Sequence, residues 1–242
     1  IQAEPLDKDK IEQFSYHYLG PKAEGFLAQV LESNNQTRTN RRNLSSLIHN
    51  PYLLAALIYI YDNIPSGDLP RNNGALMQSL VRALWERERQ KQTLGWVSPE
   101  YMEKVMSFLA FDMIDEDRPF DVSIQYVLQY LGDKNLIWAA HSANIVEIHG
   151  ESVRFYHQLI QEYFAALQLK EVDVENKLLW PGHKVLAPSL GAAAIQSQIM
   201  KRRTEKWYQV VIALCGIDRN PERIITTFAE SSPWLAASCI ES

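Results

Sequence analysis

The sequence predicts a mainly α-helical fold with one small β-hairpin. Three observations support this prediction. Apolar residues recur three and four positions apart along most of the chain, which is the spacing of a buried helix face. Proline and glycine interrupt that spacing repeatedly, as they do between helices. Strand-like apolar segments occur on the two sides of Gly150-Glu151, where they predict a hairpin.

Residues 1–92 are predicted to form a helical bundle, the first of three domains. Asp7 can cap a first helix, and Gly20-Pro21 ends that helix. A second helix should run to about residue 32, and a third should cover about residues 40–48 after a polar loop. Asn50-Pro51 then starts a strongly apolar helix, because proline is tolerated in a first turn. A fifth helix follows a Pro- and Gly-containing connection. The faces predicted to be buried are Ile11, Phe14 and Tyr18 in the first helix and Met77, Leu80, Val81 and Leu84 in the fifth.

Residues 93–170 have the element order of a winged-helix domain: three helices, a two-stranded wing and a closing helix. Ser98-Pro99-Glu100 combines a cap, a proline and an acid, which is a strong helix start. A second helix begins at about Val122 and stops at Gly132, and a third, shorter helix follows it. The buried faces are predicted to contain Met102, Val105, Met106, Leu109 and Met113 in the first helix and Ile160, Tyr163, Phe164 and Leu167 in the closing helix.

Residues 171–242 are predicted to be a second helical domain, solenoid-like in character. Trp180-Pro181-Gly182 interrupts the chain. After this break an apolar helix should cover about Trp207–Cys215, and Pro221 and Pro233 should each start a further helix. The sequence contains no internal repeat clear enough to state a period.

Composition limits the class of protein. A hydrophobic content of 46% with 22% charged residues is typical of a globular protein and excludes disorder. The net charge of −5 argues against a surface built for nucleic acid. No segment reaches the roughly 18 apolar residues of a membrane span. Cys215 and Cys239 lack metal-ligand spacing, so we interpret them as buried thiols in a reducing cytoplasm. Because the chain begins at Ile1 and not at methionine, we expect it to be a fragment of a longer protein.

The sequence does not contain the motifs of a complete enzyme. It has no G-x-x-x-x-G-K-[ST] phosphate loop, no G-x-G-x-x-G and no recognisable nucleophile motif. His149 and His157 are eight positions apart across a hairpin, which does not favour a zinc site. The chain alone is therefore not expected to be a catalyst, to bind a cofactor or to bind a metal.

A winged helix can bind DNA, but the charge here does not favour it. DNA binding requires lysine and arginine directed at phosphates. Residues 98–170 contain five basic side chains against eleven acidic ones, and the two candidate recognition helices hold one lysine between them. Such a surface is repelled by the DNA backbone.

Two segments carry a resemblance to a known family. His157 lies where a strand meets a helix, and Gln161-Glu162-Tyr163-Phe164-Ala165-Ala166 follows it. With Phe155, these residues resemble the winged-helix signature of NACHT-type signalling ATPases, a group of STAND NTPases. The segment from Leu44 to Arg89, with Asn50-Pro51-Tyr52-Leu53-Leu54 and Leu69-Pro70-Arg71, looks like the first helical domain of the same family. The opening, residues 1–19, looks like the segment that follows the family's P-loop domain.

The resemblance implies a nucleotide switch. The residue that matches His157 contacts the β-phosphate of ADP and holds a closed, inactive state, and the proline that matches Pro51 packs against adenine. ADP or ATP with magnesium would be held by a P-loop domain located before Ile1. The implied partners are that domain, the flanking repeat or effector domains and a homo-oligomer on activation, and the implied outputs include defence signalling.

Alternative interpretations stay open for both residues and for the whole chain. His157 can be a helix-start side chain that is satisfied by the local backbone, and Pro51 can be an ordinary helix-initiating proline. The chain as a whole can be a helical and winged-helix interaction scaffold with no role in nucleotide binding.

Overall fold

The computed structural model describes residues 5–31, 48–63, 69–70, 72–91, 97–118, 121–172, 178, 206–229 and 232–241. These residues form a mainly helical structure with a small three-stranded antiparallel sheet, which confirms the predicted fold class. The chain divides into two compact units. The first comprises residues up to Ala83 together with Glu241 and Ser242, and the second comprises Leu84–Ile240. The three domain boundaries drawn from the sequence stay predictions.

The elements in the described part of the first unit are all helical. It contains α1 (Lys8–Leu19), a 3-10 turn (Gly20–Lys22), α2 (Ala23–Leu31), α3 (Pro51–Asn63) and the first part of α4 (Asn73–Lys91). Asp7 caps α1, because its Oδ1 accepts from the Lys10 N–H at 2.8 Å. Gly20 ends α1 with a φ of 54°, a conformation that favours glycine. The predicted loop at residues 33–38 and residues 40–47 of the predicted third helix lie outside the described residues, and Ile48 lies in a turn.

The buried face of α1 differs from the predicted one. Ile11 is buried as expected, but Ser15 and Leu19 share its face, while Phe14 is half-buried and Tyr18 is 61% exposed. The serine can be buried because its hydroxyl donates to the Ile11 carbonyl at 2.7 Å, which satisfies the polar group within the helix. The rings of Phe14 and Tyr18 contact each other instead, with centroids 4.6 Å apart. The sequence prediction was wrong here because a spacing of three and a spacing of four residues select neighbouring faces of a helix, and the spacing alone does not show which face is buried.

The predicted pattern of α4 is confirmed. Met77, Leu80, Val81 and Leu84 are all buried. In α3, the buried residues lie on several sides of the helix, as its strongly apolar sequence predicts: Leu53, Leu54, Ala56, Leu57, Ile58 and Ile60.

The second unit contains the elements of the predicted winged helix in the predicted order. They are α5 (Pro99–Asp115), α6 (Ile124–Leu131), α7 (Lys134–Ser142), β2 (Val146–His149), β3 (Ser152–Phe155) and α8 (Gln158–Glu171). The predicted start of α5 is confirmed, since Ser98 Oγ accepts from the Tyr101 N–H. The predicted stop of α6 at Gly132 is also confirmed by a left-handed φ of 70°. β2 and β3 pair in antiparallel register with Val146 opposite Phe155.

One strand was not predicted. β1 (Val122–Ser123) pairs antiparallel with β3, with Val122 opposite Val153, so the strand order is β1-β3-β2. The sequence analysis assigned these two residues to the following helix. Two residues are too few to show an alternating pattern, and Ser123 also caps α6 by accepting from the Tyr126 N–H at 3.2 Å.

The core of the second unit lies between α5 and α8, which pack against each other. The predicted apolar face of α5 is buried throughout. On α8, Ile160, Tyr163 and Phe164 are at most 1% exposed as predicted. The fourth predicted residue, Leu167, is only half-buried, because the last turn of α8 buries Leu169 instead. Asp112 of α5 also accepts hydrogen bonds from the hydroxyls of Tyr126 and Tyr130 on α6. This packing holds α8, and therefore the residue that precedes it, in a fixed position relative to the wing.

Three helices follow in the described part of the remaining chain. They are α9 (helical at residues 206–217), α10 (Glu222–Ala229) and α11 (Pro233–Glu241), which confirms the three predicted helix positions. Trp207 of α9 packs against Phe111 of α5, with ring centroids 4.9 Å apart. Lys206 forms an ion pair with Asp117 at 2.8 Å. The predicted break at Trp180-Pro181-Gly182 lies outside the described residues, and the solenoid-like character stays a prediction.

Candidate functional site

His157 occupies the junction between β3 and α8. Its backbone is extended, with φ −146° and ψ 144°, and the first turn of α8 begins at the next residue. The imidazole Nδ1 accepts a hydrogen bond from the Leu159 N–H at 3.2 Å, so the side chain caps the helix. The His157 carbonyl accepts from the Ile160 N–H at 3.0 Å. His157 therefore has the helix-capping role that was one of its two interpretations from the sequence.

The cap determines the protonation state of the ring. An imidazole nitrogen that accepts a hydrogen bond carries a lone pair, so the proton of the neutral His157 ring is on Nε2. Half-burial also lowers the pKa of His157 below its ordinary value, because burial disfavours the charged form. The positive end of the α8 dipole acts in the same direction. His157 is therefore a neutral Nε2–H donor at neutral pH.

The residues around His157 divide into core residues and buried polar groups. Phe155, Tyr163, Phe164, Ala165 and Ala166 are all at most 7% exposed, which confirms the interpretation of the aromatic residues as core. Gln161 and Glu162 are also buried, at 3% and 6% exposure, and the sequence analysis did not predict this.

Glu162 is an acid in an apolar environment. Gln158 donates to its Oε1 at 2.8 Å, one helical turn earlier. Burial raises the pKa of Glu162 to about 7, and the hydrogen bond from Gln158 only partly opposes this effect. The sequence signal that could have indicated it is the run Tyr163-Phe164-Ala165-Ala166 directly after this acid, which is apolar or small and therefore typical of a helix packed on several sides.

Pro51 is the first residue of α3 and is half-buried. The preceding Asn50 caps the helix, because its Oδ1 accepts from the Tyr52 N–H at 2.9 Å. The ordinary helix-initiating role of Pro51 is therefore present too. Pro51 belongs to the first unit and His157 to the second, so their convergence on one ligand stays a prediction.

Two side chains of the wing contact the same carboxylate. Arg154 Nη2 lies 2.6 Å from Glu147 Oε2, and His149 Nε2 lies 3.0 Å from the same oxygen. Hydrogen bonds from His149 and Arg154 hold the pKa of Glu147 below its usual range. Because Arg154 already has a carboxylate partner, this arrangement does not favour a phosphate contact at the wing.

The described part of the chain contains neither a cluster of metal ligands nor a helix that could span a membrane. Its histidine, cysteine and carboxylate side chains do not gather in groups of three or more that could hold a metal ion. None of its helices combines the length and the hydropathy needed to cross a membrane.

Two comparisons with known proteins found no match for this chain. No family model matches the chain, and no curated protein matches it.

Proposed function

We propose that this chain is the regulatory portion of a NACHT-type nucleotide-switch ATPase, in which His157 stabilises an ADP-bound closed state. The observation that carries the proposal is the His157 ring, whose Nδ1 caps α8 while its proton is on Nε2. An N–H donor at the N-terminal end of a helix suits a phosphate oxygen, because the helix dipole also attracts negative charge. The order of helices, wing and closing helix is consistent with the same proposal.

The mechanism requires a second domain. A P-loop domain of the same cytoplasmic protein would hold ADP or ATP with magnesium and carry out any hydrolysis, Pro51 would contact the adenine and His157 the β-phosphate. The nucleotide would then bias the closed state against the open one by no more than its difference in affinity for the two. Opening would permit oligomerisation and signalling.

The experiment must separate the cap from the ligand contact. His157→Asn keeps a good N-cap but removes the Nε2–H donor, whereas His157→Ala removes both. We expect His157→Asn to keep the wild-type free energy of unfolding and to weaken ADP binding about tenfold, the effect of one hydrogen bond to a charged group. ATP binding should weaken less. Calorimetry with ADP and ATP, on the protein that includes the P-loop domain, measures both affinities.

The control for this experiment is His149→Ala, since His149 is an exposed histidine of the wing. This variant should bind both nucleotides with the wild-type affinity. His157→Asp, which also caps well but repels phosphate, should weaken ADP further than His157→Asn. Unchanged ADP affinity in His157→Asn would leave only the helix-capping role.

The alternative is an interaction scaffold without a nucleotide role. It is favoured by two large exposed side chains, Trp138 at 57% and Trp234 at 84% exposure. Under this alternative, the full-length protein would not bind nucleotide at all, and the resemblance would be only architectural.

A further inference from the structure

The two cysteines of the chain are neighbours in the structure. Cys215 lies in α9 and Cys239 in α11, both are thiols, and they are 6% and 4% exposed. Their side chains are hydrogen-bonded to each other. The sequence predicted that both are buried thiols, and it did not indicate that they are in contact.

The helices that carry the thiols have a second side-chain bridge. The Tyr208 hydroxyl and the Ser238 hydroxyl are 2.5 Å apart, and Ser238 is the residue directly before Cys239. Since Tyr208 and Cys215 are both in α9, two separate contacts hold α11 against α9. The sulfur atoms therefore meet as part of a defined helix–helix contact.

The hydrogen bond makes the two thiols chemically different. The hydrogen bond with Cys215 lowers the pKa of Cys239, because it stabilises the thiolate. The same bond, together with burial, raises the pKa of Cys215. Trp234 and Ile240 of α11 are 84% and 69% exposed, so one side of this helix faces solvent. Cys239, the thiol whose pKa is lowered, therefore lies on a helix that solvent reaches.

We propose that Cys215 and Cys239 are an oxidisable dithiol that closes into an intrachain disulfide when the protein meets a peroxide. The Cys239 thiolate attacks one oxygen of hydrogen peroxide, and the O–O bond breaks. Hydroxide is the leaving group, and Cys239 becomes a sulfenic acid. The Cys215 sulfur then attacks the Cys239 sulfur, the S–O bond breaks, and the hydroxyl leaves with the Cys215 proton as water. Two thiols lose two electrons and peroxide becomes two waters.

The disulfide would join α9 directly to α11 and close the chain between them, which includes α10. A cross-link of this kind restricts the unfolded chain, so the oxidised protein should unfold at a higher temperature than the reduced protein. The proposal is independent of nucleotide binding.

The experiment treats the reduced 242-residue chain with hydrogen peroxide and follows its mass and its tryptic peptides without reductant. We expect a mass loss of two hydrogens and a linked pair of peptides, Trp207–Arg219 and Ile224–Ser242. The linked pair should form faster in the folded chain than in urea, because the fold holds the sulfurs together. Dithiothreitol should restore both peptides and the lower unfolding temperature.

Two variants complete the test. Cys215→Ala should lose the linked peptides and accumulate higher oxides on Cys239, whereas Tyr208→Phe should still form the disulfide. The proposal is overturned if wild-type thiols gain oxygen without linking, if they stay reduced while the folded chain is exposed to peroxide, or if linking is faster in urea than in the folded chain. In each of these cases the pair is a packing contact only.

Discussion

At the residue scale, His157 shows that a structural role and a candidate binding role can belong to one side chain. The ring has two nitrogens, and the helix cap uses Nδ1. The cap orients the ring and keeps the proton on Nε2, so it prepares the donor that the nucleotide proposal needs. The two interpretations that the sequence left open are therefore compatible, and only a variant that separates the two nitrogens distinguishes them.

Glu162 gives a pH-dependent prediction at the same scale. The pKa of Glu162 in the folded chain is about 7, above the ordinary value of 4.5. Between these two values the folded chain holds a proton that the unfolded chain has released, so the free energy of unfolding should fall as the pH rises from about 4.5 to about 7. It should then level off. The decrease attributable to Glu162 is at most about 3 kcal/mol.

Glu162→Gln measures this contribution, because the amide is neutral at every pH. The variant should match the wild type in urea unfolding at pH 4 and should be more stable than the wild type at pH 8. Glu151→Gln, which changes an exposed acid in the hairpin turn, is the control and should follow the wild-type curve. Equal stability of wild type and Glu162→Gln at pH 8 would contradict the raised pKa.

At the element scale, α4 continues from the first unit into the second and ends in a buried ionic cluster. Glu88 is 0% exposed. Its carboxylate lies 2.8 Å from Lys91 Nζ and 3.4 Å from Arg87 Nε, and it accepts from the Ser142 hydroxyl of α7 at 2.8 Å. A buried carboxylate needs this compensation, since its removal from water is costly. The cluster therefore ties the end of α4 to the end of α7.

Two variants in this one helix make a matched prediction. Lys91→Met removes a partner of the buried Glu88 and should lower the free energy of unfolding by about 2 kcal/mol, the effect of a hydrogen bond to a charged group. Arg89→Met removes the partner of Glu86, an exposed pair 2.6 Å apart, and should have a much smaller effect. Urea unfolding measures the free energy of unfolding of both variants. Equal decreases in the two variants would show that the burial of Glu88 does not strengthen its interaction with Lys91.

At the scale of the whole molecule, the charge distribution predicts no affinity for duplex DNA. The net charge is −5, and Arg154 of the wing is paired with Glu147. Fluorescence anisotropy with a labelled duplex should therefore show no binding at protein concentrations of about 10⁻⁴ M, where weak non-specific DNA binders at physiological salt are already bound. Glu147→Gln, which releases Arg154, should not create affinity. Salt-sensitive binding by the wild type would restore the DNA-binding interpretation of the winged helix.

Much of the architecture was predictable because its causes are local. The start of α5 at Pro99, the stop of α6 at Gly132 and the buried pattern of α4 follow from caps, positive φ angles and helical spacing. These depend on residues within one or two turns of each other. The strand β1 was missed for the opposite reason, since its two residues become a strand only by pairing with β3.

The same distinction between local and tertiary causes applies to the candidate site. The sequence by itself determined that His157 precedes a helix whose aromatic residues are core, because strand, helix and apolar spacing are all read along the chain. Only the tertiary structure decided that Glu88 and Glu162 are buried and that Cys215 meets Cys239. Burial and pKa depend on side chains brought from distant positions, and one sequence does not state which of these will be neighbours.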